Sequence, residues 1–128
     1  MDVQRRDPVA WYRITLSDQE PLKESLLDWA SSEGVTFAWL QCLGQVRYAD
    51  VASGQRKNDV QSQKLMQEMS SNRHVHAKGT LVRSGESEEV HLHGSMGRGR
   101  RTTTGCIAKD PSVFYGMEIF VTVLETNE

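Results

Sequence analysis

Glu89-Val90-His91-Leu92-His93-Gly94-Ser95-Met96, then Gly97-Arg98-Gly99, then Arg101-Thr102-Thr103-Thr104-Gly105-Cys106-Ile107 is the most telling run of the chain. It predicts two strands joined by a glycine-rich turn. Strand side chains alternate between faces, so His91 and His93 point the same way. Cys106, on the next strand of the hairpin, can then meet them. Imidazole nitrogen and cysteine sulfur are the ligands that zinc and related transition metals favour. A second reading stays open at this point, in which the three residues decorate a solvated sheet face and Cys106 is a small half-buried filler.

Upstream, Arg73 to Val82 predicts a strand and Ser84 to Ser87 a turn around Gly85. Downstream, after Asp110-Pro111, the residues Tyr115, Met117, Ile119, Val121 and Val123 alternate with more polar neighbours as a long closing strand. At the other end, Tyr12, Ile14 and Leu16 alternate with Arg13 and Thr15, a further strand over Trp11 to Leu16. Ser17 and Glu20 have the spacing of a capping box, and Pro21 suits a first helical turn. The apolar stripe Leu22, Leu26, Trp29, Ala30 then predicts a helix closed by Gly34. Val35 to Val51 reads as a strand buried on both faces, a bend at Gly44, and a second extended piece through Val46, Tyr48 and Val51. Ser53 to Gln63 lacks a pattern and reads as a surface loop, while Lys64 to Met69 fits a helical turn or a short strand equally well. Trp11, Trp29 and Trp39 fall on core positions, as packing residues rather than base-stacking platforms. The expected architecture is α+β: a single compact domain of antiparallel hairpins with one main helix.

The chain has 128 residues, 38% hydrophobic and 25% charged, which suits one domain with a real core and excludes wholesale disorder. Its longest apolar run, Val35 to Leu43, is too short to span a bilayer. Met1 to Pro8 is polar and does not read as an export leader. Cys42 and Cys106 make no disulfide framework, so a reducing, cytoplasmic setting is the expectation. The net charge of -2 argues mildly against gripping duplex DNA by phosphate neutralisation. Local basic clusters remain at Arg98, Arg100 and Arg101 and at Arg56 with Lys57.

From Tyr12 to Glu125 the chain resembles the plants-and-prokaryotes-conserved (PPC) domain family. The strand and helix from Tyr12 to Trp29 match in order and length. Cys42-Leu43-Gly44-Gln45-Val46 is similar to the family's apolar-glycine turn, and Val75-His76-Ala77-Lys78-Gly79-Thr80-Leu81 to its strand with a central glycine. Val90-His91-Leu92-His93 resembles the signature histidine pair. Thr104-Gly105-Cys106-Ile107 falls where members carry Gly-Gly-His, and Glu118 where the last strand carries a glutamate. The resemblance implies a twisted mixed, largely antiparallel sheet covered by one main helix. It implies a PPC-like domain over 1–128, with its core at about 11–125 and residues 1–8 a flexible lead-in, assembled as a homotrimer. Plant relatives hold DNA through separate AT-hook segments. Acetolactate decarboxylase shares the broader fold and holds zinc with three histidines, an analogy of fold alone. Here the third histidine is replaced by Cys106, a softer ligand that tilts the site toward zinc or copper(I).

The resemblance therefore implies a metal set of His91, His93 and Cys106, holding zinc or another transition metal, with no nucleotide cofactor. Glu118 reads either as a general base beside metal-bound water or as a solvent-facing glutamate. His74 and His76 share a face with Lys78, a poor neighbour for a cation, and read as exposed or inter-subunit residues. Gly97-Arg98-Gly99-Arg100-Arg101 resembles an AT-hook core without its proline, and lies in a turn where a hook needs an extended segment. Three functions follow from different classes: a trimeric DNA-associated regulatory module, a metalloenzyme acting on a small oxo-acid, and a structural or protein-interaction trimer. No membrane contact is expected.

Overall fold

Eight antiparallel strands form one sheet that curls around a single helix in the computed structural model, which describes residues 1–55, 64–69 and 73–127. In chain order the elements are β1 (Ala10–Ser17), α1 (Leu22–Glu33), β2 (Val35–Val46), β3 (Ala49–Gln55), β4 (Lys64–Met69), β5 (Arg73–Ser84), β6 (Ser87–Arg98), β7 (Arg101–Ala108) and β8 (Val113–Thr126). Across the sheet the order is β1-β8-β2-β5-β6-β7-β3-β4. The expected α+β class with one main helix holds. Every pairing among the described residues is antiparallel, so the sheet carries none of the parallel component that "mixed" allows.

One apolar cluster fills the concave side. Leu22, Leu26 and Ala30 from α1 meet inward residues of the strands, among them Leu40, Leu81, Leu92, Ile107, Met117 and Val121. Gly34 ends the helix in the left-handed conformation, φ 72°, its N–H returning to the carbonyls of Ala30 and Ser31. The helix start differs from the capping box. Ser17 and Glu20 close a tight turn between themselves, Pro21 occupies the N-cap, and the cap comes from far along the chain. Asp110 accepts the backbone N–H of Lys23 at 2.6 Å and of Glu24 at 3.0 Å. A carboxylate there satisfies two orphan donors and sits at the favourable end of the helix dipole.

Several expectations are corrected by the one-sided cover. β2 buries Ala38, Leu40 and Cys42 and exposes Trp39, Gln41 and Leu43, so it is buried on one face in this chain rather than on both. Trp11 (61% exposed) and Trp39 (40%) lie on the uncovered convex face, and only Trp29 packs against the core. β2 runs on through Gly44 to Val46, with a register irregularity between these residues instead of a bend. A Cβ on Gly44 would lie 2.4 Å from the Gly116 carbonyl oxygen, so the glycine serves close strand approach. Tyr115 leaves the inward alternation of β8: it adopts φ 69°, is exposed, and donates its N–H to Asp18 at 2.8 Å. Lys64 to Met69 is a strand. Ser53 to Gln55 belongs to β3 instead of a loop, and the rest of that expected loop, with Arg56 and Lys57, lies outside the described residues.

Candidate metal centre

β6 and β7 pair from Arg98 opposite Arg101 back to His93 opposite Cys106, and there they part. β7 continues along β3, with Cys106 opposite Ala52 and Ala108 opposite Asp50, while β6 follows β5 alone. The parting leaves His91 without a partner on β7 and opens a groove of ≈ 630 Å³ beside it. The first turn of α1 docks at this gap. Leu22 donates its N–H to Pro111 at 3.0 Å, and Lys23 Nζ donates to the carbonyl of Ile107 at 2.7 Å.

His91 and His93 share a face of β6, as alternation requires. Their Nε2 atoms are 2.7 Å apart, one ring donating to the other, with ring centroids 4.6 Å apart. Cys106 Sγ lies 3.9 Å from His91 Nδ1. One ligand atom from each of the three residues falls within 4.8 Å of the others. Tetrahedral zinc with Zn–N near 2.0–2.1 Å holds two nitrogens about 3.3 Å apart and a nitrogen and a sulfur about 3.6 Å apart. A metal between the two Nε2 atoms would open the imidazole pair by about 0.6 Å and draw in Cys106 Sγ, whose 3.9 Å neighbour is the other nitrogen of His91, adjustments within reach of side-chain rotation. The N₂S donor set fits a transition metal, and two of its three residues, His91 and Cys106, line the groove.

Two further residues, not singled out from the sequence, stand beside the cluster. Glu89, two positions before His91 on the same face, places Oε1 3.7 Å from His91 Nδ1. Lys23 and Asp110 line the groove with His91 and Cys106. For Glu89 a signal existed, since the alternation that pairs the histidines also includes it. For Lys23 none did, because only the docking of α1 brings it there.

The other sequence candidates lie elsewhere. Glu118 on β8 is separated from β6 by β2 and β5, and it is ion-paired with Arg13. Three strand spacings are about 14 Å, so within one chain it does not join the cluster. His74 and His76 are exposed, and His76 shares a shallow depression on the convex face with Lys78 and His93. Arg98, Arg100 and Arg101 are exposed at the β6–β7 turn, where Gly99 has φ 61°. Cys42 is a core thiol, its pKa pushed up to about 12 by burial.

Residues 5–125 match the family model described as the Plants and Prokaryotes Conserved (PCC) domain. The chain belongs to this family. Among curated proteins none matches it. Among solved structures, a metal-containing protein of Archaeoglobus fulgidus is similar to this PCC domain at a TM-score of 0.84 and 17% identity, covering 99% of this chain and 88% of its own. A plant- and prokaryote-conserved protein of Pyrococcus horikoshii gives a TM-score of 0.83 at 15% identity, over 100% of this chain and 87% of that one. A candidate DNA-binding protein of Ralstonia eutropha gives 0.77 at 20% identity, over 95% and 83%. At such identities the likeness establishes the PCC fold and not the use each relative makes of it. No helix among the described residues is long and apolar enough to cross a membrane.

Proposed function

We propose that this PCC-domain protein is a transition-metal-binding module that holds zinc, or a metal of similar preference, through His91, His93 and Cys106. The observation that carries the reading is the convergence of these three donors at the parting of β6 and β7. An Archaeoglobus relative of the same fold is described as metal-containing, which supports it. A bound metal would polarise an oxygen ligand at its open position. The protein's part is to set the donors, with His93 and Cys106 fixed opposite each other by the β-ladder and His91 next to the groove. Elemental analysis of protein purified from zinc-replete cells tests the reading. About one metal per chain is expected, lost in the His91→Ala/His93→Ala variant, and a metal-free wild type contradicts it.

Self-assembly as a trimer is part of the proposal, since the convex face leaves Trp11, Trp39 and Leu43 exposed. Apolar faces of this kind are usually covered. Light scattering at the monomer mass contradicts it.

A second reading, association with duplex DNA, is favoured by three arginines at one hairpin tip that hold no ion pair among the described residues, and by the relative from Ralstonia. Retention on DNA that weakens with salt, and is reduced by replacing Arg98, Arg100 and Arg101 together, is its expected signature. No retention at low salt overturns it.

A further inference from the structure

Lys23 occupies a costly position. It lies in the first turn of α1, where the positive end of the helix dipole disfavours a cation. It is half-buried, and burial pulls its pKa below the usual lysine value, opposed by the nearby Cys106, Asp110 and Glu89. Buried ammonium groups are ordinarily paired, yet among the described residues Lys23 has no carboxylate within ion-pair distance. Its one hydrogen bond is to the carbonyl of Ile107. Most neighbouring acids are engaged elsewhere: Asp110 spends both oxygens on the helix N–H groups, Glu88 pairs with Arg83 at 3.2 Å, Asp50 pairs with Lys109 at 2.7 Å, and Glu89 lines the groove with Oε1 3.7 Å from His91 Nδ1. Glu24 and Asp28 lie on the exposed rim, where solvent screens them. An ammonium carries three donors, so two remain for a ligand in the groove that Lys23 shares with His91 and Cys106.

We propose that the groove binds a small carboxylate, one oxygen taken by the Lys23 ammonium and a second oxygen donor of the same molecule by the metal at His91, His93 and Cys106. The inference rests on the metal reading above and deepens it by naming the ligand class and the residue that selects it. Small 2-hydroxy acids are the simplest molecules that carry a carboxylate and a further oxygen donor. The acidic rim makes the metal a requirement: without its charge the groove has little net attraction for an anion.

The test uses the full chain loaded with cobalt(II), whose visible bands report coordination, and glycolate as probe. Glycolate is expected to shift the bands saturably. Lys23→Met, which keeps the stem, should weaken glycolate by roughly tenfold or more, the loss of one charge-assisted hydrogen bond, while cobalt affinity stays within about twofold. Lys23→Arg should restore most of the glycolate affinity, and it also serves if Lys23→Met folds poorly by circular dichroism. Glycolate affinity unchanged in Lys23→Met overturns the proposal and marks Lys23 as a tie between helix and β7. Cobalt bound without any response to glycolate overturns this proposal alone, and a wild type that binds no cobalt overturns it together with the metal reading.

Discussion

Replacing Gly79 by alanine tests how the metal candidate is positioned. Gly79 on β5 faces Leu92 across the ladder, and a Cβ there would stand 1.8 Å from the carbonyl oxygen of His91, 2.8 Å from its carbonyl carbon and 3.0 Å from Leu92 Cα. All three are backbone atoms, so no flexible side chain can yield. Opening the first contact to about 3.2 Å displaces the His91 backbone by about 1.4 Å. Overpacking of this kind costs about 1–3 kcal/mol, and losing one ladder hydrogen bond adds about 1 kcal/mol, for a total of about 3 kcal/mol. With a urea slope of about 2 kcal/mol/M the unfolding midpoint falls by about 1.5 M, leaving a domain of ordinary stability still folded. Urea titration followed by circular dichroism reads this shift. Gly85→Ala is the control: nothing lies near its Cβ, but φ 58° makes alanine strained by about 1–2 kcal/mol. Both variants destabilise, but only Gly79→Ala should also weaken metal binding, because only it moves His91. A Gly79→Ala stability within about 0.5 kcal/mol of wild type, or a metal affinity unchanged while stability falls, shows that Gly79 does not position His91.

Other consequences concern the surroundings of the cluster. Glu89→Gln should weaken metal binding by removing a negative charge 3.7 Å from His91 Nδ1; competition with a chelator measures it, and an unchanged affinity makes Glu89 a bystander. Asp110→Ala removes the cap of α1 at a cost of about 1–2 kcal/mol, read as a lowered Tm, and Asp110→Asn recovers part of it. A thiol reagent at mildly alkaline pH should label Cys106 and spare Cys42 in the folded protein, and metal should protect Cys106. Burial raises the Cys42 pKa to about 12, so the folded state favours the protonated thiol. Its contribution is fully present below the ordinary thiol pKa and is lost as the pH climbs toward about 12, a slope that Cys42→Ala removes from urea titrations at alkaline pH.

Much of this fold could be read from two periodicities. Alternation at Tyr12, Ile14 and Leu16, the Leu22–Ala30 stripe, and turns at Gly85 and Gly99 are local features, and local chemistry produced them. What stayed hidden depends on distant partners. The helix cap is Asp110, 87 residues beyond Lys23, so a local Ser17–Glu20 spacing suggested the wrong acceptor. Alternation marks two faces of β2 without saying that only one receives a helix, hence the misplaced Trp39. At the candidate site, His91 and His93 follow from strand period, the hairpin brings Cys106 beside them, and the resemblance to the family matched Cys106 to its third ligand position. Lys23 arrives only because β6 and β7 part and α1 fills the gap, which is a property of topology.

His91, His93 and Cys106 are expected to hold one metal between them. Metal content per chain, measured in the wild type and in His93→Ala and Cys106→Ala after equilibration with zinc and removal of free ion, tests it most directly. About one zinc per wild-type chain is expected, with a large loss in both variants. A metal-free wild type, or full zinc retention in both variants, contradicts it.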